Sequence, residues 1–281
     1  MKKRLMVVGI LLSFLLLPFG GTAFAYSNIV AFGDSLSDNG NFGVWTNGQV
    51  WVEYLAADLG ISLDDMALGG AKTVGHIYSP TTYGLDWQVA QYTAGLSGAP
   101  LDTLFTVWIG GNDFLGGSMD FTTAAQNAGN SIEALINAGA SDIMVMNLPN
   151  LGAIPLNNTD PVIGPIATYL SNQYNIQLWN EINALSGTYS SVNFFKVDTY
   201  SLLEGAIANP EAYGLTNVTT YPTDGNYDGY LFWDDVHPTT YAHEMIADLA
   251  GSALPAVPVP AAIWLFGSGL IGLVGIKRRF K

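Results

Sequence analysis

The stretch NIVAFGDSLSDNGNF, residues 28–42, joins a short apolar run to a cluster of small polar residues and glycines. The run at residues 29–32 is typical of a buried strand, and the change of composition after it marks the strand's end. Ser35 lies just beyond that end. By itself the stretch favours a turn serine, because serines are common in turns. The other interpretation, a nucleophile presented at the end of a strand, requires partner residues elsewhere in the chain.

Apolar runs without a helical period alternate with amphipathic segments, and this alternation indicates the fold class. The sequence predicts one α/β domain, a three-layer α/β/α sandwich with a mainly parallel sheet. Ligands of such sheets bind outside the carboxyl ends of the strands, where the polar turns after Phe32 and Ile109 would lie. Residues 209–233, rich in turn formers and aromatics, are expected to form a surface loop over part of that site. Strands are predicted at residues 29–32, 103–109, 142–147 and 192–197, and helices at 51–59, 122–138, 163–185 and 240–250.

Both ends of the chain have the composition of targeting segments. Residues 1–25 combine a basic start, an apolar run and an Ala-Phe-Ala ending, the layout of a secretory signal peptide that is cleaved after Ala25. An uncleaved anchor is the alternative, although the run is shorter than the roughly 20 residues that a span prefers. Residues 255–281 contain a proline hinge, an uncharged stretch at 261–276 and a basic finish, which favours a short membrane span over a buried core helix. Residues 26–254 remain as the single folded domain.

The predicted domain is strongly acidic, although the whole chain has a formal net charge of only −14. Seven of the nine basic residues lie in the two end segments, which hold none of the 23 acidic residues. Residues 26–254 keep only Lys72 and Lys196 as cations, so their formal charge is −21. Nucleic acid and anionic lipid surfaces are therefore not expected as partners. With no cysteine, neither a disulfide framework nor a thiolate zinc site is possible, and with three histidines a histidine-rich metal site is not expected.

A second motif, FWDDVHPTTYAHEM at residues 232–245, supplies the partners that a serine nucleophile needs. A hydroxyl becomes a good nucleophile when a base removes its proton, and a histidine base needs a carboxylate to fix its tautomer. Asp234 precedes His237 by three residues, so both side chains can face one side of a tight turn. This spacing is frequent by chance, and its weight comes from its combination with the strand-end serine. His243, one turn into a predicted helix, is expected to pack or to cap.

Two glycine-containing motifs can supply hydrogen-bond donors for a developing oxyanion. TVWIGGNDF places Asn112 where a predicted strand ends. MALGGAKT contains Gly69 and Gly70, whose lack of side chains lets a backbone N–H approach a substrate. The N–H of Ser35, expected at a helix N-terminus, would be a third donor. The alternative is that these glycines form a plain turn and that Asn112 caps a turn.

Over residues 28–250 the chain resembles the GDSL, or SGNH, serine ester hydrolases. The resemblance implies the family's flavodoxin-like SGNH hydrolase fold and a mechanism without a metal or organic cofactor. It also implies that Ser35 is the nucleophile, that His237 is the base and that Asp234 orients the base. Four sequence blocks carry the resemblance, in the family's order: GDSLSDNGN at 33–41, ALGGA at 67–71, GGND at 110–113 and DDVHP at 234–238.

The same resemblance implies an oxyanion hole formed by the backbone N–H groups of Ser35 and Gly70 and by the side-chain amide of Asn112. One position departs from the family's pattern. Asp65 stands where the glycine block usually begins with asparagine, and this change puts the bracing of that loop in question.

The C-terminal segment resembles the PEP-CTERM type of sorting signal of Gram-negative bacteria, in its Val-Pro-x-Pro-Ala form at residues 257–261. The resemblance implies transient anchoring in the inner membrane, recognition and cleavage by an exosortase-type protease, and delivery to the cell surface, outer membrane or extracellular matrix. Signal peptidase is the expected partner at the other end of the chain.

The sequence therefore predicts an exported serine ester hydrolase of the carboxylesterase or lipase type, working through an acyl-enzyme on Ser35. The expected substrate is a lipid or a short acyl ester. Deacetylation of an exported polysaccharide is the alternative within the enzyme class. A non-catalytic matrix or adhesion protein on the same fold is the alternative outside it, and it is disfavoured because all the catalytic positions are filled.

Overall fold

The computed structural model describes residues 26–255, except residues 97 and 99. The predicted domain therefore lies within the described part of the chain. The predicted signal peptide at 1–25 and the predicted span at 261–276 lie outside it. Among the residues that are described, no helix is both long and apolar enough to cross a membrane.

Five parallel strands form one sheet in the order β2-β1-β3-β4-β5, and the strands are β1 (Asn28–Gly33), β2 (Ser62–Asp65), β3 (Thr103–Trp108), β4 (Asp142–Met146) and β5 (Asn193–Val197). The direction in which the chain adds strands reverses at β1, and open α/β sheets bind ligands at such a reversal. The predicted α/β fold with a parallel sheet is confirmed. Strand β2 was missed because it lies at the sheet edge, has no fully buried residue and has the polar sequence SLDD.

Helices cover both faces of the sheet, as the three-layer prediction requires. The sequence indicated α1, α4, α5 and α7 to within three residues at each end. It missed α2, α3 and α6, which have ten residues or fewer and show no clear apolar period. The helices are α1 (Trp51–Leu59), α2 (Leu85–Ala94), α3 (Gly111–Leu115), α4 (Phe121–Asn137), α5 (Ile163–Thr188), α6 (Thr199–Ala208) and α7 (Thr240–Ala253).

Successive residues of the central strands face two separate apolar cores. Val30 and Phe32 of β1 pack with α2, α4 and α5, whereas Ile29 and Ala31 pack with α1 and α7. This alternation follows from the two-residue period of a strand. Because both faces are covered, β1, β3 and β4 are buried almost throughout, which explains why they read as continuous apolar runs in the sequence.

The loop predicted at residues 209–233 holds a short 3-10 helix, Pro210–Tyr213, and otherwise turns and isolated bridges. Its last part brings Leu231 and Phe232, both buried, to the carboxyl edge of the sheet. These two residues line the same cavity as Ser35 and Asn112, which lie in the segments after β1 and β3.

Candidate active site

Ser35 lies in a tight turn directly after β1, at the carboxyl edge of the sheet. The N–H groups of Ser37 and Asp38 both donate to the carbonyl oxygen of Asp34, each at 3.0 Å. The turn does not continue as a helix, because the next helix begins only at Trp51. The expectation that Ser35 stands at a helix N-terminus is therefore wrong.

The buried carboxylate of Asp38 explains why the turn ends. It accepts hydrogen bonds from the N–H groups of residues 40–42, which a continued helix would direct to backbone carbonyls. It also accepts from the N–H of Gly69 at 2.7 Å and from the indole Nε1 of Trp45 at 3.1 Å. One side chain thus links the Ser35 loop to the glycine block, a role that sequence analysis did not assign.

Gln88 of α2 fixes the end of β1 at Gly33. Its fully buried amide accepts a hydrogen bond from the N–H of Gly33 at 3.0 Å and donates to the carbonyl of Gly33 at 2.8 Å. A Cβ atom at residue 33 would clash with the carbonyl oxygen of Trp108, so close packing against β3 requires glycine here. Sequence analysis missed Gln88, because one glutamine in a short helix forms no pattern.

The structure brings Ser35, His237 and Asp234 together. The Nε2 atom of His237 lies 2.9 Å from the Oγ of Ser35, and its Nδ1 lies 2.8 and 3.0 Å from the two carboxylate oxygens of Asp234. Since an ionised carboxylate only accepts hydrogen bonds, Nδ1 carries the ring proton. Nε2 is then free to accept the hydroxyl proton of Ser35, which is the geometry that a general base needs.

The three-residue spacing lets Asp234 bind its own turn as well as the imidazole. The N–H groups of Val236 and His237 donate to its Oδ1 at 2.8 and 2.6 Å. Burial raises the pKa of Asp234, but the hydrogen bond and charge of the His237 ring and these two backbone bonds outweigh burial and lower the pKa below its ordinary value. Asp234 is therefore ionised where His237 needs a negative partner.

Asn112 and the glycine block are tied together side by side. The amide Nδ2 of Asn112 donates to the carbonyl of Ala71, next to Gly70, at 3.0 Å. The carboxylate of Asp113 accepts from the N–H of Thr73 at 2.9 Å and from its hydroxyl at 2.8 Å. The amide nitrogen of Asn112 has a second N–H that the bond to Ala71 does not use.

The N–H groups of Ser35 and Gly70 find no acceptor within residues 26–255 as described. Both residues are buried, and buried N–H groups without a partner are rare in folded proteins. The φ angle of Gly70 is +85°, a left-handed conformation that favours glycine. The donors expected from the sequence thus lie on two loops and on helix α3, and two of them have no competing acceptor in the part of the chain that is described.

Asp65, the departure from the family's asparagine, does brace its loop. Its carboxylate accepts hydrogen bonds from the N–H groups of Asn39 at 2.8 Å and Ala67 at 2.9 Å. Burial raises the pKa of Asp65 to about 7, against the lowering effect of these two bonds. The substitution therefore keeps a connection between the Ser35 loop and the glycine block.

His243 lies apart from Asp234 and binds a helix terminus instead. It is fully buried, and its Nδ1 accepts the N–H of Trp51, the first residue of α1, at 3.2 Å. Burial lowers the pKa of His243 to about 3, with the nearby His237 acting in the same direction. His243 is therefore neutral and satisfies one of the free N–H groups at the start of α1.

An apolar cavity of about 70 Å³ opens at Ser35 and Asn112. It runs between the loop after β4, helix α6 and helix α7, and its walls include Leu148, Leu203 and Met245. Groups of three or more histidine, cysteine or acidic side chains that could hold a metal ion do not occur among the described residues.

Comparisons with known proteins address the family and the fold of the chain. The family model for GDSL-like Lipase/Acylhydrolase matches residues 29–250, and the model for the PEP-CTERM protein-sorting motif matches residues 256–279. A structure of a lipolytic G-D-S-L family protein from Veillonella parvula, 18% identical, has a TM-score of 0.50 and covers 80% of this chain and 94% of its own, which supports the same fold.

Three curated relatives are similar over most of this chain. The thermolabile hemolysin of Vibrio parahaemolyticus is 27% identical over 79% of this chain and 62% of its own length. The phosphatidylcholine-sterol acyltransferase of Aeromonas hydrophila is 25% identical over 81% of this chain and 90% of its own. The acetylesterase of Thermothelomyces thermophilus is 26% identical over 80% of this chain and 87% of its own. The chain thus spans less than two thirds of the hemolysin but most of the other two relatives.

Proposed function

Since the chain belongs to the GDSL-like lipase/acylhydrolase family over residues 29–250, we propose that it hydrolyses esters through an acyl-enzyme on Ser35. The match confirms the family expected from the sequence and its assignment to enzymes that act on ester bonds. One observation carries the proposed mechanism: the 2.9 Å distance from the Nε2 of His237 to the Oγ of Ser35, with Asp234 on the other ring nitrogen.

In the first half of the proposed reaction, the Oγ of Ser35 attacks the ester carbonyl carbon while His237 takes the hydroxyl proton. Asp234 stabilises the imidazolium, and the oxyanion accepts hydrogen bonds from the N–H groups of Ser35 and Gly70 and from the amide of Asn112. His237 then returns the proton to the leaving alcohol, and Ser35 is left acylated. In the second half, water gives a proton to His237 and attacks the acyl carbon. His237 then returns this proton to the Oγ of Ser35 as the bond between Oγ and the acyl carbon breaks, which releases the carboxylic acid and the free serine.

The apolar cavity beside Ser35 favours an ester with an apolar acyl chain, because the protein could bury that chain there. Each methylene that leaves water gains about 0.8 kcal/mol, so a chain that fits the cavity gains affinity with every carbon. A lipid or a short acyl ester therefore stays the leading substrate. The name of the Aeromonas relative, a phosphatidylcholine-sterol acyltransferase, supports a lipid ester as the substrate of this chain too.

Deacetylation of an exported polysaccharide is the second candidate. Two observations favour it: the PEP-CTERM sorting motif at residues 256–279, and the acetylesterase of Thermothelomyces among the relatives. An acetyl group would place only one methyl group in the apolar cavity, so this candidate gives the cavity a smaller role in affinity than a longer acyl chain does.

Hydrolysis of nitrophenyl esters from acetyl to palmitoyl by the purified protein separates the candidates. A maximum at an intermediate chain length is expected if the cavity holds the acyl group. Activity on acetyl esters alone, together with release of acetate from an acetylated polysaccharide, would favour the deacetylase. No turnover of any ester would leave a non-catalytic matrix or adhesion protein as the better interpretation.

Two substitutions of an alanine by leucine, one inside the cavity and one outside it, test the cavity itself. Ala206 of α6 is fully buried and lines the cavity, so Ala206→Leu should move the best chain length towards shorter esters. Ala57 of α1 is exposed and does not line it, so Ala57→Leu should leave the profile unchanged. Equal profiles for the two variants would argue against an acyl group in this cavity.

The PEP-CTERM motif also supports a proposal for processing and location. Signal peptidase removes residues 1–25, the tail anchors residues 26–254 briefly at the inner membrane, and an exosortase-type protease cuts near Pro260. The released domain reaches the cell surface, outer membrane or extracellular matrix of a Gram-negative bacterium. Intact-mass measurement should find a chain that begins near Tyr26 and lacks residues 263–281 in a host with the protease.

In a host without that protease, the tail should stay attached and the protein should stay in the membrane fraction. A tail that remains in both hosts would make residues 255–281 a plain membrane anchor.

A further inference from the structure

The peptide group between Gly69 and Gly70 is held from the side by a histidine with no role in proton transfer. The Nε2 of His76 lies 2.6 Å from the carbonyl oxygen of Gly69. His76 is buried, with 3% of its surface exposed, and the chain between it and the glycine block folds back through a bridge between Ala71 and His76. The imidazole is thus fixed against the loop that carries Gly70.

The two partners of the His76 ring define its tautomer. The N–H of Tyr78 donates to Nδ1 at 3.0 Å, so Nδ1 carries no proton. The carbonyl of Gly69 can only accept, so Nε2 carries the proton and donates it to that oxygen. His76 is therefore a neutral imidazole with both nitrogens engaged.

Fixing the carbonyl of Gly69 also fixes the direction of the N–H of Gly70, because both belong to one planar peptide group. In a trans peptide the C=O and N–H bonds point in opposite directions, and the described residues include no cis peptide. The N–H of Gly70 therefore points away from His76. The next peptide group is held as well, because the N–H of Ile77 donates to the carbonyl of Gly70 at 3.0 Å.

We propose that His76 is a positioning residue that holds the Gly69–Gly70 peptide with its N–H directed at the oxyanion. The proposal rests on the proposed ester hydrolysis. A donor fixed before the reaction stabilises the transition state without reorganisation, whereas a peptide free to rotate loses part of that effect. The hydrogen bond on the carbonyl also polarises the peptide group, which makes its N–H a stronger donor.

The contact between the His76 ring and Gly70 leaves room only for glycine at position 70. A Cβ atom at residue 70 would lie 2.8 Å from the Nε2 of His76 and 2.9 Å from its Cε1. The imidazole therefore packs directly on the Cα of Gly70, on the side that a side chain would occupy. The same ring determines where the peptide points and excludes any residue but glycine.

Steady-state kinetics of the full-length protein with His76→Phe and His76→Gln test the proposal. Phenylalanine keeps a ring but has no donor, so kcat should fall about tenfold to a hundredfold, less than the loss expected when an oxyanion donor is removed outright. KM should change little, because the ground-state ester does not need the aligned N–H. A glutamine amide can still donate to the carbonyl of Gly69, so His76→Gln should restore most of kcat. Tyr78→Ala is the control, since it removes a ring that contacts His76 but keeps the backbone N–H that binds Nδ1.

A trifluoromethyl ketone, which forms a charged tetrahedral adduct with a serine, supplies a readout that a purely structural role would not change. Its affinity should fall in parallel with kcat in His76→Phe and should be kept in His76→Gln and Tyr78→Ala. Equal losses in His76→Gln and His76→Phe, or a rise in KM with kcat unchanged, would overturn the role of His76. If the unaltered protein hydrolyses no ester, the proposed function fails; if it does and His76→Phe keeps its kcat, only the role of His76 fails.

Discussion

The Nε2 of His237 lies 2.9 Å from the Oγ of Ser35, although 202 positions separate the two residues in the chain. Strand β1 delivers Ser35 at the start of the domain, and a small hairpin delivers His237 near its end. In that hairpin the N–H of Trp233 donates to the carbonyl of His237, and the N–H of Thr239 donates to the carbonyl of Leu231. The proposed nucleophile and base therefore meet only when both ends of the domain are folded on the same sheet.

The first prediction concerns the nucleophile. Ser35→Ala should lower ester hydrolysis by at least about three orders of magnitude, as the loss of a serine does in other triads. Removing one oxygen from this turn leaves the bonds to Asp34 intact, so the melting temperature should change little. Initial rates and thermal unfolding of both proteins check the two parts. More than a tenth of the original turnover in Ser35→Ala would rule out the proposed triad.

The second prediction separates the two late histidines. His237→Ala should abolish turnover, because no other base contacts Ser35 among the described residues. His243→Ala should keep turnover within a few-fold but lower the melting temperature. It leaves the N–H of Trp51 buried without an acceptor, at a cost of about 1 to 3 kcal/mol, in addition to the cavity left by the ring.

Kinetics and thermal unfolding of the two variants, measured side by side, check this separation. Loss of activity in a folded His243→Ala protein, with activity kept in His237→Ala, would move the base to His243 and break its link to Asp234.

Local motifs account for the part of the site that the sequence could predict. Ser35, Asp234 and His237 lie in short stretches that indicate nucleophilic chemistry only in combination and through their resemblance to a known family. Gln88 and His76 could not be found in this way, because each acts through one side chain on the backbone of another segment. Gln88 binds Gly33 across 55 positions, and it occupies the buried face of α2, where pattern analysis expects an apolar residue.

Local sequence patterns likewise predicted only part of the fold. The buried central strands were predictable because burial on both faces makes their sequences continuously apolar. The edge strand β2 was not, because partial exposure removes that signal. The helix expected at Ser35 was wrong for a different reason. The carboxylate of Asp38 competes with backbone carbonyls for the following N–H groups, and this outcome depends on tertiary placement of one side chain.

The third prediction compares two glycines with left-handed backbones. Gly70 has φ +85° and faces the ring of His76, whereas Gly60, which ends α1, has φ +68° and no atom within 4 Å of a Cβ. Gly70→Ala should displace the proposed oxyanion donor and lower kcat by about a hundredfold. Gly60→Ala should cost about 1 to 2 kcal/mol of stability for the left-handed backbone and leave kcat unchanged. Similar kcat values for the two variants at equal folded fractions would argue against an N–H role for Gly70.

The fourth prediction begins from two carboxyl groups with raised pKa values, one on the buried Asp34 and one on the partly buried Asp65. Burial raises the pKa of Asp34 to about 7, with Asp113 and Asp38 adding to this effect and the N–H of Leu36 and the charge of His237 opposing it. Burial likewise raises the pKa of Asp65 to about 7. Both groups bind protons more tightly in the folded protein than in the unfolded chain.

It follows that Asp34 and Asp65 should make the free energy of unfolding decrease as the pH rises from about 4 to about 7, where only the folded state keeps their protons. The lowered pKa of His243 acts in the opposite direction over most of this range, but as one group against two it leaves a net decrease. Below about pH 4 the trend should reverse, because the lowered pKa of Asp234 makes its ionised form a source of stability that acid removes. Urea unfolding across this pH range measures the slope, and one fully shifted group contributes at most about 1.4 kcal/mol per pH unit. Asp65→Asn removes one of the two groups. The free energy of unfolding of this variant should therefore change less with pH between pH 4 and 7 than that of the unaltered protein, whatever its absolute stability. An unchanged slope in Asp65→Asn would mean that this carboxyl group is ionised in the folded protein throughout that range.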